Sequence, residues 1–205
     1  MSKFAYLVIG SAFLVACSSE TTQPTAPISV PVVTQQLHAP GPASNARGGN
    51  FGTPLSADEE VMPAGVVNTS KARGNAIFQL NGDGTTLSYK LIVANIENAF
   101  MAHIHQGPAG SNGGVVVWLY PSTTPGAPGP TGGGRMNGVI AEGTITASNL
   151  VGTLEDMPLS ALLELLTTGN AYVNVHTNDG VDPVNTGPGD FPGGEVRGQI
   201  EHRGH

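Results

Sequence analysis

Three histidines have the spacing of a metal-binding site. His103 and His105 are separated by one residue in the segment Ala-His-Ile-His-Gln, and His176 follows much later in Val-Asn-Val-His-Thr. Side chains alternate between the two faces of a β-strand, so His103 and His105 point the same way if this segment is a strand. Two imidazoles at that spacing can hold one metal ion, and a third from a neighbouring strand would complete the site. Neutral imidazoles suit copper or zinc, so one of these is the expected cofactor if the three histidines bind a metal.

Polar residues near the third histidine could support such a site. Asn174 shares a predicted strand face with His176, and Glu195 shares one with Arg197 in the last predicted strand. If these strands are neighbours, Asn174 could hydrogen-bond a ligand, whereas Glu195 could be a ligand, fix the tautomer of an imidazole, or pair with Arg197. Two alternatives remain open: a buried network that joins the strands, and acid–base chemistry without a metal. No nucleophile motif accompanies the histidines, so the sequence names no catalytic residue.

The composition limits the class of partner. The chain has 205 residues, with 8 basic against 15 acidic side chains and a net charge of -7. No basic stripe is present, so we do not expect nucleic-acid binding. Cys17 is the only cysteine, which excludes an internal disulfide.

The N-terminus has the pattern of a bacterial lipoprotein precursor. Lys3 precedes an apolar run over residues 4–15, which is too short to span a bilayer, and Leu-Val-Ala-Cys ends at Cys17. We expect a signal peptide at 1–17, lipidation of Cys17, and a flexible Pro/Thr-rich tether at 18–49 before the folded domain at 50–205. The protein would then be exported and anchored to the cell membrane, or to the outer membrane if the organism has one. The alternative is a buried N-terminal element with an incidental cysteine.

From about residue 51 the patterns are those of short strands between turn residues. The turn Asn-Gly-Asp-Gly at 81–84 predicts a hairpin, and one helix is expected with Asp156 as its cap. Trp118 lies in an apolar run and is expected in the core. The predicted helix spans residues 158–167, and the predicted strands span residues 76–80, 87–93, 100–105, 115–120, 139–145, 171–177 and 195–201. These elements predict an all-β sandwich or barrel with one short helix.

Three segments together resemble the CHRD domain, the module repeated in chordin and found singly in many bacterial proteins. They are Ala-His-Ile-His at 102–105, Asn-Ala-Tyr-Val-Asn-Val-His-Thr at 170–177 and Gly-Gly-Glu-Val-Arg-Gly-Gln-Ile at 193–200. The resemblance covers about residues 70–201. It implies an immunoglobulin-like β-barrel and says little about activity, because the family has no well-established general biochemical function.

A looser resemblance is to copper/zinc superoxide dismutase, a Greek-key β-barrel. A His-x-His strand, a later Val-x-His strand and a Gly-rich final strand with an arginine are similar to that family's pattern. The resemblance implies copper ligation by His103, His105 and His176, with Arg197 steering anions. No histidine lies between His105 and His176, so the bridging and zinc-site histidines are missing, as are the family's two cysteines.

Two functional hypotheses follow from the sequence. The first is an envelope-anchored binding module that recognises an unknown protein or glycan partner, with a histidine patch that is either structural or loaded with metal. The second is a copper-dependent redox protein, either dismutase-like or a copper carrier.

Overall fold

The computed structural model describes residues 49–204. The predicted signal peptide, the lipidation site Cys17 and residues 18–48 of the predicted tether lie outside the described residues. Within 49–204, none of the helices has both the length and the apolar character that a membrane span requires.

Residues 49–204 form nine strands and one α-helix. The helix α1 is Leu159–Thr167, and the strands are β1 Asn50–Ser56, β2 Arg73–Leu80, β3 Leu87–Glu97, β4 Ala99–Gln106, β5 Val115–Tyr120, β6 Arg135–Ile145, β7 Ala171–Thr177, β8 Val196–Gln199 and β9 Glu201–His202.

All the strands belong to one antiparallel sheet that nearly closes into a barrel. The order is β5-β4-β7-β8-β1-β2-β3-β6, with β9 paired to β1. The two end strands β5 and β6 contact each other. Across the interior, the Tyr89 hydroxyl donates a hydrogen bond of 2.7 Å to the carbonyl oxygen of Leu119. The all-β prediction is therefore confirmed.

The alternation of side chains along β4 and β7 decides where the histidines lie. Ala102 and Ile104 of β4, and Val173 and Val175 of β7, belong to the apolar core inside the barrel. The residues between them must face outward. β4 pairs with β7 in a register that sets His103 opposite Asn174 and His105 opposite Tyr172. The strand prediction for the histidine segment is confirmed.

Several predicted element boundaries were wrong. β6 begins at Arg135 rather than at residue 139, because the long strand β3 offers partners as far as Glu97. The helix α1 has Pro158 rather than Asp156 at its N-cap. Asp156 has a φ of 61°, and this left-handed turn places it ahead of the helix.

Candidate metal centre

His103, His105 and His176 come together on the outer face of the barrel, and we call them the histidine cluster. They lie on the adjacent strands β4 and β7. Although they face away from the apolar core, they are only 2%, 7% and 5% exposed. Loops fold over this face and bury them. The cluster is therefore a small polar layer outside the main core.

Two of these loops fix the tautomers of the covered rings. The Nδ1 atom of His105 lies 2.9 Å from the carbonyl oxygen of Gly113. That of His176 lies 2.8 Å from the carbonyl oxygen of Pro192. A carbonyl oxygen only accepts, so each neutral ring carries its proton on Nδ1 and keeps a lone pair on Nε2.

The third ring, His103, touches the other two. Its Nδ1 atom lies 3.0 Å from the Nε2 atom of His176. Because that Nε2 atom accepts, His103 donates from Nδ1 and also keeps a lone pair on its own Nε2. The Nε2 atoms of His103 and His105 are buried and have no hydrogen-bond partner. One ring nitrogen from each member of the cluster lies within 4.8 Å of the others.

The surroundings keep the three rings neutral. Burial, together with the neighbouring histidines, lowers the pKa of His103 to about 3. Burial lowers the pKa of His176 to about 4, against the opposing effect of its bond to Pro192. Burial also lowers the pKa of His105, and the charge of Arg197 acts in the same direction. A neutral imidazole is the form that binds a metal ion.

Arg197 is buried beside the cluster and organises one of the covering loops. Its guanidinium donates hydrogen bonds to three oxygens of the loop after β4, namely Asn112 Oδ1 (3.1 Å), Pro108 O (3.2 Å) and Ser111 O (2.8 Å). It also lies 3.4 Å from the centroid of the Tyr172 ring. Tyr172 in turn stacks on His105 with the centroids 4.9 Å apart. Arg197 thus supports both the ring of His105 and the loop that binds it.

Glu195 has partners outside the histidine cluster. Its carboxylate accepts hydrogen bonds from Ser70 Oγ (2.5 Å), Thr177 Oγ1 (2.7 Å) and the backbone N–H of Gly189 (2.7 Å). The ion pairs of the described residues are Arg73–Asp58 and Lys90–Glu142, so Glu195 does not pair with Arg197. β8 begins at Val196, one residue after Glu195. The structure therefore brings Arg197 and Asn174 to the cluster and gives Glu195 a separate network.

Glu60 is a residue near this site that the sequence did not predict. It follows a short 3₁₀ turn after β1, Ala57–Glu59. A methyl group added to Gly194 would collide with the Glu60 carboxylate and would come 2.8 Å from the Asn174 amide nitrogen, so these three residues are packed together. Burial raises the pKa of Glu60 to about 7, although Arg197 and Asn174 both favour its ionised form. No local sequence signal links Glu60 to the histidines.

Trp118 completes the aromatic surroundings, and its prediction as a core residue was wrong. It is opposite His103 in the pairing of β4 with β5. Its ring packs edge-on against His103, with the centroids 4.3 Å apart. Val117 and Leu119, its neighbours in β5, are the residues that enter the apolar core.

The family comparison agrees with this architecture. The family model of the CHRD domain matches residues 51–200. This chain belongs to the CHRD-domain family. The match includes β4, β7 and β8, so the histidine cluster and Arg197 are all part of the CHRD domain. No curated protein and no solved structure matches the chain.

Proposed function

We propose that this CHRD domain is a binding module that holds one copper or zinc ion through His103, His105 and His176. One observation carries the proposal. Six buried side-chain atoms of the described residues lack a hydrogen-bond partner, and four of them belong to the cluster and its immediate neighbours. The four atoms are His103 Nε2, His105 Nε2, Asn174 Oδ1 and Glu60 Oε2. Buried polar atoms nearly always have a hydrogen-bond partner, so four unpartnered atoms in one place indicate that an ion or a polar ligand binds there.

The donor set fits a transition-metal ion. The ring nitrogens lie within 4.8 Å of one another. Nitrogen ligands of a tetrahedral ion, with bonds of about 2.0–2.1 Å, lie roughly 3.4 Å apart. Binding would break the hydrogen bond from His103 Nδ1 to His176 Nε2, because that bond occupies the lone pair that His176 would give to the ion. The rings would then rotate to bring the three nitrogens to that spacing. Three neutral imidazoles suit copper and zinc, and copper generally binds the tighter of the two.

A purely structural network explains only part of the arrangement. It accounts for the Nδ1 atoms, which bond to Gly113, Pro192 and His176. It leaves the Nε2 atoms of His103 and His105 without partners in a buried place, which costs about 1–3 kcal/mol for each group. A bound cation accepts those lone pairs. Because the rings are almost completely buried, a bound ion would leave the site only slowly.

The place of action proposed for this module is the bacterial cell envelope. The apolar run and Leu-Val-Ala-Cys at 14–17 support a lipid anchor at Cys17. The Pro- and Thr-rich segment after it supports a tether between the membrane and the CHRD domain. The partner that this domain meets there is a protein or glycan that the sequence does not name.

The test is a metal titration of the protein as the cell makes it, purified in detergent and stripped with a chelator. We expect the wild type to bind one equivalent of zinc or copper and the His103→Asn/His176→Asn variant to bind none. His202→Asn is the matched control, because His202 is exposed and lies outside the cluster. Circular dichroism of each variant separates lost binding from lost folding. The proposal would be refuted if wild type binds no metal, or if a folded variant of the histidine cluster still binds one equivalent.

A further inference from the structure

The buried surroundings of the histidine cluster contain an uncompensated positive charge. Arg197 is 1% exposed, and the described residues hold no carboxylate within ion-pair distance of it. Its hydrogen bonds go to carbonyl and amide oxygens, which carry no net charge. A divalent ion held by three neutral imidazoles would add two further positive charges nearby. A buried charge without a compensating partner is strongly unfavourable.

Glu60 is the carboxylate placed to compensate that charge. It is packed against Asn174, which stands opposite His103 in the pairing of β4 with β7. The Oε1 atom of Glu60 accepts a weak hydrogen bond of 3.3 Å from the backbone N–H of Val61. The Oε2 atom is buried without a hydrogen bond of good geometry, although the Asn174 side chain is close enough to favour the ionised carboxylate.

Two other carboxylates are buried in this region, Glu195 and Asp190. Glu195 is fully engaged by Ser70, Thr177 and Gly189. Asp190 accepts hydrogen bonds from Thr186 through Oδ2, and its Oδ1 has no hydrogen-bond partner.

We propose that Glu60 is the anionic partner of the metal site and gives up a proton when the ion binds. This inference rests on the proposed function and deepens it. The step is balanced: the protein with a protonated Glu60 carboxyl takes up M²⁺, and the proton leaves to solvent. Binding is therefore weaker at low pH, where the proton and the metal ion compete.

The charged groups that face Glu60 account for the pH range of this exchange. Arg197 favours the ionised carboxylate, and so does the Asn174 side chain, but burial outweighs both and raises the pKa of Glu60 to about 7. The pKa of His103 is about 3 and that of His176 is about 4, so these two rings hold no extra proton to release in the same range, and burial lowers the pKa of His105 as well. Glu60, with a pKa of about 7, is thus the group whose protonation is followed between pH 6 and 8.

Zinc titration by calorimetry in two buffers of different ionisation enthalpy measures the protons released. The protein is again the full chain in detergent. We expect wild type to release most of one proton through Glu60 at pH 6 and much less at pH 8, because the pKa of Glu60 is about 7. In Glu60→Gln the release at pH 6 falls close to zero, and the zinc affinity at pH 8 falls about 10–100-fold. Glu59→Gln removes the same charge from an exposed neighbour and should match wild type.

The possible outcomes distinguish a failure of the proposed role of Glu60 from a failure of the proposed metal site. If Glu60→Gln binds zinc with the proton release and the affinity of wild type, the proposed role of Glu60 is wrong and the proposed metal site still stands. Wild type that binds no zinc would overturn the site and the role of Glu60 together. Thermal unfolding of each variant checks that the fold is retained.

Discussion

The Nδ1 atom of His103 lies 3.0 Å from the Nε2 atom of His176, although 73 residues separate the two in the chain. The contact crosses the pairing of β4 with β7 on the outer face of the barrel. It brings together two rings that burial keeps neutral, since the pKa of His103 is lowered to about 3 and that of His176 to about 4. Two neutral imidazoles in contact, with a third beside them, are the basis of the proposed metal centre.

The first prediction concerns acid stability of the metal-free protein. An unfolded histidine has a pKa of about 6.5. The folded His103 and His176 take up protons only near pH 3 and pH 4. Their stabilising contribution is therefore complete above about pH 6.5 and is lost as the pH falls below it, by about 1.4 kcal/mol per pH unit for each histidine at most. Urea unfolding at pH 7.5, 6 and 5 measures the loss.

The contribution of Glu60 to the free energy of unfolding changes with pH in the opposite direction. Its pKa rises from 4.5 to about 7 on folding, so its contribution is present below about pH 4.5 and is lost as the pH rises through about 7. Glu60→Gln removes this opposing effect. The variant should lose stability more steeply with acid than wild type does between pH 6.5 and 4.5. A stability that does not change with pH in wild type would contradict the burial of neutral histidines.

The histidine pair on one strand could be predicted from sequence, because period-two alternation needs only local information. The partnership with His176 was a hypothesis that required its strand to neighbour β4, and the resemblance to copper/zinc superoxide dismutase implied the same three ligands; local sequence alone does not show that β4 pairs with β7. Three groups of the candidate site could not be predicted from the sequence: the Glu60 carboxyl group and the carbonyl groups of Gly113 and Pro192. They lie on loops whose paths depend on tertiary packing. Every residue has a backbone carbonyl group, so the residue type does not show which carbonyl binds a histidine. Trp118 was misassigned because an apolar run does not show which face of its strand is inside.

The second prediction concerns Arg197, which holds the loop that binds His105. Replacing Arg197 with alanine removes three charge-assisted hydrogen bonds and the contact with Tyr172. The free energy of unfolding should fall by about 2–4 kcal/mol. Lysine should restore only a small part of it, because it lacks the planar guanidinium. Denaturant unfolding checks this, with the exposed Arg203→Ala expected to change stability by about 0.5 kcal/mol or less. Equal effects at the two arginines would refute the role of Arg197.

The third prediction concerns the glycine that makes room for Glu60. Gly194 has a φ of 134°, and a methyl group there would collide with Glu60 and come 2.8 Å from the amide nitrogen of Asn174. Gly194→Ala should lower the unfolding free energy by about 1–3 kcal/mol. It should also weaken zinc binding, because Glu60 and Asn174 must move. Gly193→Ala is the adjacent control, with open space around its added methyl group. If Gly194→Ala unfolds like the control, the packing of Glu60 against Gly194 is not as described.

The fourth prediction tests the proposed anchor. Cys17→Ser removes the thiol that lipidation requires. We expect wild type in the membrane fraction of the producing cells and the variant outside it, as judged by cell fractionation and immunoblotting. Ser18→Ala is the control, since it changes a neighbouring small residue and keeps the cysteine. A variant that remains in the membrane fraction would contradict lipid anchoring at Cys17.

The central claim is that one metal ion sits among His103, His105 and His176. The most direct measurement is anomalous diffraction at the zinc or copper absorption edge from crystals of the metal-loaded protein. The account predicts one strong peak within about 2.0–2.1 Å of a ring nitrogen of each of the three histidines. Loaded crystals with no peak among these rings, or with a peak only at an exposed histidine such as His202, would contradict it.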